Sequence, residues 1–458
     1  MSSGPAETRS QPARPVSARA IAALLELLKA GERFGAAERL GALAPWHCTG
    51  PQDTETLGFV AHNLAQHDIA RECYARFAAM VPGDPVGWYN LATSERNCGN
   101  IAAAVEAGDR ALALDPDYAQ AALLLSGLRR QTPGHNHVDA LQRALRRTSH
   151  DRGERIFLHY ALGKEFEDLG DHPAAWRHFA EGAAARRRGL HYDVATDEAK
   201  LRRIAEAFPA PAASDDPGSP GPYGFIAGLP RSGTTLIERV LTGREGVHSN
   251  GETDNLLGAL MDGTPASGGD IFDRVAAAVP AQVAASYARR AGPPLPGGMI
   301  LEKLPLNYLY FGALARTMPG AKLVMVRRNP IDNCFAMFST LFGAGYPFSY
   351  ALGDLARYAA AFADLCRHWR ETLGDRMLEV QYDRFVADPA SEGQRLAAHM
   401  GIAWDEGLLA VERNRSASAT ASAVQVRRPI YRSASGRWRN YESQLAPLID
   451  ALAARDLI

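Results

Sequence analysis

The sequence predicts an α/β domain built on a central parallel sheet and preceded by an all-α helical solenoid. Three observations carry that reading. From about Ile21 to Phe208 the chain is rich in Ala and Leu, with apolar residues at helical spacing and very little strand-like alternation. Within that stretch "CYARFAAMVPGDPVGW" and "GDRALALDPDYAQA" superpose with Pro82 opposite Pro116, which sets the period of an internal repeat. Beyond residue 222 the short apolar runs "GFIAG", "GMILEK", "AKLVMV" and "RMLEVQY" alternate with longer helical stretches, the pattern of parallel strands joined by crossover helices.

In chain order, residues 1–18 are rich in Ser, Pro, Ala and Arg and hold too little apolar surface to offset the entropy of ordering, which predicts a disordered tail. Residues 19–208 form the helical domain, and the step from Pro82 to Pro116 equals the period of the tetratricopeptide repeat, a helix–turn–helix unit. Ala70 falls opposite Ala104, and Gly99 and Gly170 precede Ala104 and Ala175 by five residues each. Small residues suit the close crossing of two antiparallel helices, and a proline after the second helix closes each repeat. Two clear repeats, one fair one and one or two weak ones are expected. Such a solenoid binds extended segments or a protein partner along its concave face, without itself naming a ligand. Residues 209–222, "PAPAASDDPGSPGP", predict a linker. In the α/β domain, residues 223–458, the piece 258–298 is Gly- and Pro-rich around one helix and reads as a mobile lid or an irregular surface insertion.

Charge and cysteine usage exclude several classes. Lys plus Arg (50) balance Asp plus Glu (51), so no net field draws nucleic acid or an anionic membrane, and any anion site must be local. Cys48, Cys73, Cys98, Cys334 and Cys366 form neither a CxxC pair nor a metal-ligand spacing, as expected in a reducing compartment. No run approaches the ~18 apolar residues of a membrane span. The N-terminus lacks the apolar core of a signal peptide, so a cytoplasmic location is expected. "GHNHVD" at 134–139 reads as a solvated loop rather than a zinc site, and no metal is expected.

The stretch that carries chemistry is "GFIAGLPRSGTTLIERVL", residues 224–241. An apolar strand runs into a glycine turn and out into an amphipathic helix, so the N–H groups of roughly Arg231 to Thr235 converge at a helix N-terminus. That arrangement binds a phosphate or sulfate through unpaired donors and the helix dipole. Thr234 stands where a nucleoside-triphosphate loop has its lysine, and no obvious acidic strand end offers to hold magnesium, so a shorter anion suits the loop better. Arg231 adds a positive charge inside it.

"PRSGTT" after a strand resembles the 5′-phosphosulfate loop of sulfotransferases that use 3′-phosphoadenosine 5′-phosphosulfate (PAPS). Over most of residues 223–440 the pattern is similar to tyrosylprotein sulfotransferases and to the tetratricopeptide-repeat sulfotransferases of bacteria. The resemblance implies an α/β, P-loop-like sulfotransferase domain in which Pro230, Arg231, Ser232, Gly233, Thr234 and Thr235 form the cofactor loop. It implies Glu252, in "SNGETDNL", as the base and Lys303, in "LEKLPLN", as the cation at the transferring group. Tyr382, in "VQYDRFVADP", falls on the adenosine side. In "TASAVQVRRPIYRSASGRW", Ser422 falls near the bridging oxygen and Arg437 near the 3′-phosphate. "KLVMVRRNPIDNCFAMF" supplies the 3′-phosphate arginine, Arg328, but the serine expected eight residues on is Ala336, and a second arginine found further along in the animal enzymes is Thr340. PAPS as co-substrate, no metal and a hydroxyl acceptor are implied, the acceptor being a peptide tyrosine, a carbohydrate, a lipid or a small molecule. A nucleotide kinase, and a repeat-based adaptor with an inactive nucleotide fold, are the alternatives.

Overall fold

The computed structural model describes residues 16–43, 48, 50–149, 153–209, 221–343, 345–431 and 435–458. Residues 1–15 of the expected tail and 210–220 of the expected linker lie outside the described residues.

Among its described residues the N-terminal half is helices joined by turns, with one isolated bridge between Thr132 and His135, and its helices form antiparallel pairs: Pro51–Asn63 with His67–Met80, Pro85–Cys98 with Ile101–Leu114, and Glu154–Asp168 with His172–Arg188. Helices begin at Pro51, Pro85 and Ala119, in equal steps that match the step from Pro82 to Pro116. Proline suits the first turn because its missing N–H would have no helical partner there. Asp84 caps the second of these helices by accepting from the N–H groups of Val86 and Gly87 at 3.1 Å. Ala70, Ala104 and Ala175 are fully buried, as close crossing requires. Gly99 and Gly170 sit at φ +90° and +81° just past helix ends, where a residue without Cβ turns the chain most cheaply. In the degenerate third unit the first helix shrinks to Ala119–Leu128. There His137 of "GHNHVD" bonds Glu165 through its ring at 2.8 Å and through its backbone N–H at 2.8 Å.

The C-terminal half is a five-stranded parallel sheet in the order β2-β3-β1-β4-β5, with β1 Tyr223–Gly228, β2 Val247–Ser249, β3 Met299–Lys303, β4 Lys322–Arg327 and β5 Met377–Gln381. β1 pairs with β3 from Tyr223↔Ile300 to Ile226↔Lys303 and with β4 from Gly224↔Lys322 to Gly228↔Val326. It is buried on both faces, which is why it reads as a continuous apolar run rather than an alternating one. Helices cover both sides. Leu236, Ile237 and Val240 pack on one face with Val324 and Phe385, and Phe225, Leu314, Phe335 and Trp369 pack on the other.

That second core continues without a break into the helical half through Tyr160, Phe179, Val194, Leu201 and Ile204. The Tyr160 hydroxyl donates to the Phe338 carbonyl at 3.1 Å, and Trp176 stacks on Phe338 at 5.3 Å. Residues 258–298 hold more helix than their composition suggests: Asn255–Gly263, Ile271–Ala276 and Pro280–Ala291, with Val283 and Tyr287 fully buried. Arg290 ties this piece back to the Gly31 carbonyl at 3.2 Å. In this structure it is a packed insertion. All five cysteines are free. No helix among the described residues is long and apolar enough to cross a membrane.

Candidate active site

In a parallel sheet every strand delivers its carboxyl end to the same edge, and ligands bind in the crevice there. The sequence-predicted residues collect at that edge. The glycine-bearing loop 229–233 follows β1, Glu252 follows β2, Lys303 ends β3, Arg328 follows β4 and Tyr382 follows β5. A cavity of about 590 Å³ opens above them and is lined by Pro230, Arg231, Gly233, Thr234, Thr235, Glu252, Arg328, Tyr382, Ser422 and Arg437. Ser232 and Lys303 do not line it. Ser232 is buried beneath the loop, its N–H spent on the Leu229 carbonyl at 3.1 Å.

The loop holds a shape that few side chains tolerate. Gly228 has φ +154°, and a Cβ there would lie 2.2 Å from the Val326 carbonyl oxygen. Gly233 has φ +109°, and a Cβ there would lie 2.3 Å from the Tyr382 ring. Between them Arg231 adopts φ +66°, a left-handed conformation that costs a non-glycine residue about 1–3 kcal/mol and collects at functional sites. Asn333 braces the turn by donating to the Pro230 carbonyl at 2.7 Å. Helix Thr234–Leu241 starts next, so the N–H groups of Gly233, Thr234 and Thr235 have no carbonyl behind them to bond and face the cavity edge.

Three guanidinium groups surround this cradle. Arg328 donates to the Arg231 carbonyl at 3.1 Å and lies 5.1 Å over the Tyr382 ring. Arg231 donates to Ser422 Oγ, and to Gln425 Oε1 at 2.7 Å. Burial, and then the charges of Arg328 and Arg437, push the Arg231 pKa down to about 10. Like charges held this close cost free energy, which an anion bound among them offsets.

Arg437 is held by the helical half. It donates through Nε and Nη2 to the two oxygens of Glu167, both at 2.7 Å, and Tyr441 donates to the same carboxylate at 3.0 Å. Burial alone raises the Glu167 carboxyl, but Arg437 and Lys164 outweigh it and leave it below the usual range. The remaining donor of Arg437 reaches Ser339 Oγ at 3.1 Å. Ala336 lines the same wall, and Ser339, at the end of helix Pro330–Phe338, brings a hydroxyl to it one turn further on. Thr340 spends its own hydroxyl on the Ala336 carbonyl at 2.8 Å. Sequence reasoning missed both Ser339 and Glu167. A serine three places beyond the expected position was the only signal for the first, and nothing local marks the second.

The opposite end of the cavity holds Glu252. Past β2, Asn250 N–H donates to the Leu301 carbonyl at 2.9 Å and Lys303 N–H to the Gly251 carbonyl at 3.0 Å, so the chain runs on beside β3 and sets Glu252 against Lys303. Lys303 is fully buried, its ammonium bonded to the exposed Glu252 and 3.9 Å from buried Glu238. Ser249 donates to Glu238 and accepts from Gly251 N–H at 3.0 Å, fixing the turn before Glu252. Pro305, Phe342 and Tyr346 form an apolar wall nearby. Lys303 thus stands between an exposed carboxylate, Glu252, and a buried one, Glu238, so Glu252 can turn to a ligand while the ammonium keeps a carboxylate beside it.

The roof belongs to both halves. The strap carrying Ser422 is fixed to the helical half, where the Asn97 carbonyl accepts Ser418 N–H at 2.9 Å and Arg427 at 2.8 Å. Tyr89, Arg96, Phe157 and Lys164 line the cavity from that side.

Residues 222–406 match the model of the sulfotransferase family. An uncharacterized protein of Aquifex aeolicus (strain VF5) is 24% identical over 333 residues, covering 69% of this chain and 44% of that protein; the chain thus spans under half the length of this relative. A putative protein-tyrosine sulfotransferase of Caenorhabditis briggsae is 23% identical over 195 residues, 40% of this chain and 67% of the relative. Among solved structures, the sulfotransferase domain of the Synechococcus PCC 7002 olefin synthase aligns at 20% identity and a TM-score of 0.34, covering 49% of this chain and 90% of its own.

Proposed function

We propose that this chain, which carries a sulfotransferase-family domain at residues 222–406, moves a sulfuryl group from PAPS to an acceptor hydroxyl by in-line transfer. The observation that carries the reading is the convergence at one sheet edge of an unbonded amide cradle, three clustered guanidinium groups and, across the cavity, the Glu252–Lys303 pair.

The amides of Gly233 to Thr235 and the charge of Arg231 suit a 5′-phosphosulfate. Tyr382 and Arg328 offer a stacking face and a cation on the nucleoside side. Ser339 and Arg437 supply the hydroxyl and charge that Ala336 cannot give a 3′-phosphate, while Ser422, bonded to Arg231, stands over the phosphosulfate bridge. Sulfuryl transfer asks little covalent participation of the protein and much placement and charge stabilisation. The acceptor oxygen forms a bond to sulfur, the bond from sulfur to the phosphate oxygen breaks, and the electron pair leaves with 3′-phosphoadenosine 5′-phosphate (PAP). Lys303, turning from Glu252 toward the transferring group, stabilises that charge. Glu252, thereby freed, accepts the hydroxyl proton. The roof shared with the helical half supports an acceptor, such as a peptide tyrosine or a carbohydrate, that enters between the transferase domain, 223–458, and the repeat domain, 19–208. A cytoplasmic setting is part of the proposal.

Labelled sulfate transfer from PAPS to a panel of peptide, sugar and small-molecule hydroxyls, with wild type and Glu252→Ala, tests it. Loss of transfer in the variant with PAP binding intact is expected. Full activity of the variant sinks the base. Tight ATP–magnesium binding without PAP binding supports a kinase, and binding of neither nucleotide by the folded chain supports an adaptor.

A further inference from the structure

Away from the cavity, the last repeat pair brings three metal-ligating side chains together. His159 lies on helix Glu154–Asp168, and His178 and Glu181 lie one turn apart on the facing helix His172–Arg188. Their ligand atoms all fall within 4.8 Å of one another: His159 Nδ1 is 3.1 Å from His178 Nδ1 and 3.3 Å from Glu181 Oε2. Among the described residues this is the one such group of three or more.

We propose that His159, His178 and Glu181 bind a divalent transition-metal ion, zinc by their donor set, which pins the two helices together. The proposal stands independently of the transfer reaction. Metal–nitrogen bonds of about 2.0–2.1 Å in tetrahedral geometry put ligand atoms roughly 3.3 Å apart, the separation the two measured edges already approach. Two imidazoles and a carboxylate with a fourth position open is a recurrent zinc set. Both rings are buried, 4% and 5% exposed, whereas the Glu181 side chain is 53% exposed, so the cluster is fixed on one side and open to solvent on the other.

Protons alone do not satisfy the cluster. With a proton on His159 Nδ1, that single N–H must serve both the His178 nitrogen and the Glu181 oxygen. With the proton on His178 Nδ1 instead, the His159 lone pair faces the carboxylate lone pair at 3.3 Å. A metal ion accepts all three lone pairs at once. No bond on the far side of the His178 ring fixes its tautomer, because its buried Nε2 has no hydrogen-bond partner. Burial first, then the nearby Arg155 and Arg177 for His159 and the His159 ring for His178, hold both imidazoles neutral with pKa values near 4, so their lone pairs are available at neutral pH. The same two guanidinium groups oppose a dication, and the Glu181 carboxylate offsets only part of that, which places the affinity below that of a site with two acidic ligands.

The test uses the untagged full chain, stripped with a chelator and titrated with Co²⁺ and then Zn²⁺. One Co²⁺ per chain with the visible absorption of a four- or five-coordinate N/O site, displaced by Zn²⁺, is expected, together with a Zn²⁺-dependent rise in melting temperature. Glu181→Gln, at an exposed position, and His178→Gln should each weaken binding at least tenfold. Glu181→Gln should leave the metal-free melting temperature unchanged, so it decides the matter if His178→Gln fails to fold. Absence of a stoichiometric Co²⁺ spectrum overturns the proposal, as does binding that survives Glu181→Gln unweakened.

Discussion

Replacing Gly233 with alanine tests whether the loop and the Tyr382 ring are shaped against each other to receive the nucleotide. The added Cβ meets two penalties. At φ +109° a side chain costs about 1–3 kcal/mol. The Cβ also falls 2.3 Å from Tyr382 Cδ2 and 3.0 Å from Cε2, so the ring has to move out from under Arg328, 5.1 Å away, and gives up about 0.5–1 kcal/mol of cation–π attraction. The free loop relaxes to relieve part of this, and the nucleotide must restore the original shape on binding. A loss of about 2 kcal/mol, roughly thirtyfold in PAP affinity, follows. Gly401→Ala is the matched control: it also imposes a positive φ, +70°, but has nothing within 4 Å and lies at a distant helix end. Calorimetric titration of PAP into both variants, alongside their melting curves, separates backbone strain from the ring contact. If Gly233→Ala binds PAP within twofold of Gly401→Ala, the loop is not shaped by this contact and the reasoning fails.

Three further perturbations follow from the same geometry. Lys303→Met removes the cation beside buried Glu238, whose carboxyl burial already pushes up, so that it takes up a proton at a cost of about 1–3 kcal/mol of stability; adding Glu238→Gln should restore much of the stability measured by denaturant but not sulfate transfer, and recovery of transfer would count against a role for the ammonium. Ser339→Ala should weaken PAP by about 1–3 kcal/mol while leaving 5′-AMP, which lacks the 3′-phosphate, unaffected; an equal loss for both nucleotides in a binding titration puts Ser339 elsewhere. Burial pushes the Glu302 carboxyl up to about 7, against bonds from Asn307, Leu256 N–H and Tyr287. The fold therefore prefers its neutral form, and the penalty is absent below about pH 4.5, grows through pH 7 and reaches about 3 kcal/mol above it. Glu302→Gln should thus gain on wild type in melting temperature as pH rises from about 5 to about 8, and a pH-independent difference refutes the shift.

What the sequence disclosed depended on how local the determining physics is. β1, its glycine turn and the following helix were legible because one strand's burial and one helix's N-terminus are written in consecutive residues. The repeat register was legible because Ala70, Ala104 and the prolines mark it. β2 was not, since three residues with only Val247 buried leave no periodicity to read. Its consequence was therefore hidden too: Glu252 meets Lys303 because the chain after β2 runs on beside β3, a pairing across 51 residues. Ser339 was missed because the hydroxyl reaches the wall from the end of a helix, and a fixed count from Arg328 does not see where that helix ends.

The pairing of Glu167 with Arg437 reaches across 270 residues, and it bears on why the two halves share a chain. A repeat solenoid tethered only by a linker would leave the transferase fold complete by itself. Here the helical half supplies the carboxylate that orients Arg437, the Asn97 carbonyl that fixes the strap bearing Ser422, and Tyr160 and Trp176 against the helix that carries Ala336. Glu167 neutralises one of three crowded guanidinium groups while leaving its Nη1 on Ser339, so the pocket keeps a directed donor with less repulsion of Arg231. Glu167→Gln should then act in two opposed ways, raising the positive potential of the pocket and loosening Arg437. Because a bidentate charge-assisted clamp fixes direction as well as charge, the loosening should dominate at high salt, where the added potential is screened. PAP affinity of Glu167→Gln relative to wild type should therefore fall as ionic strength rises. A ratio that stays at one at every salt concentration would mean that Glu167 supplies neither charge nor orientation to the site, and that the helical half acts only as its roof.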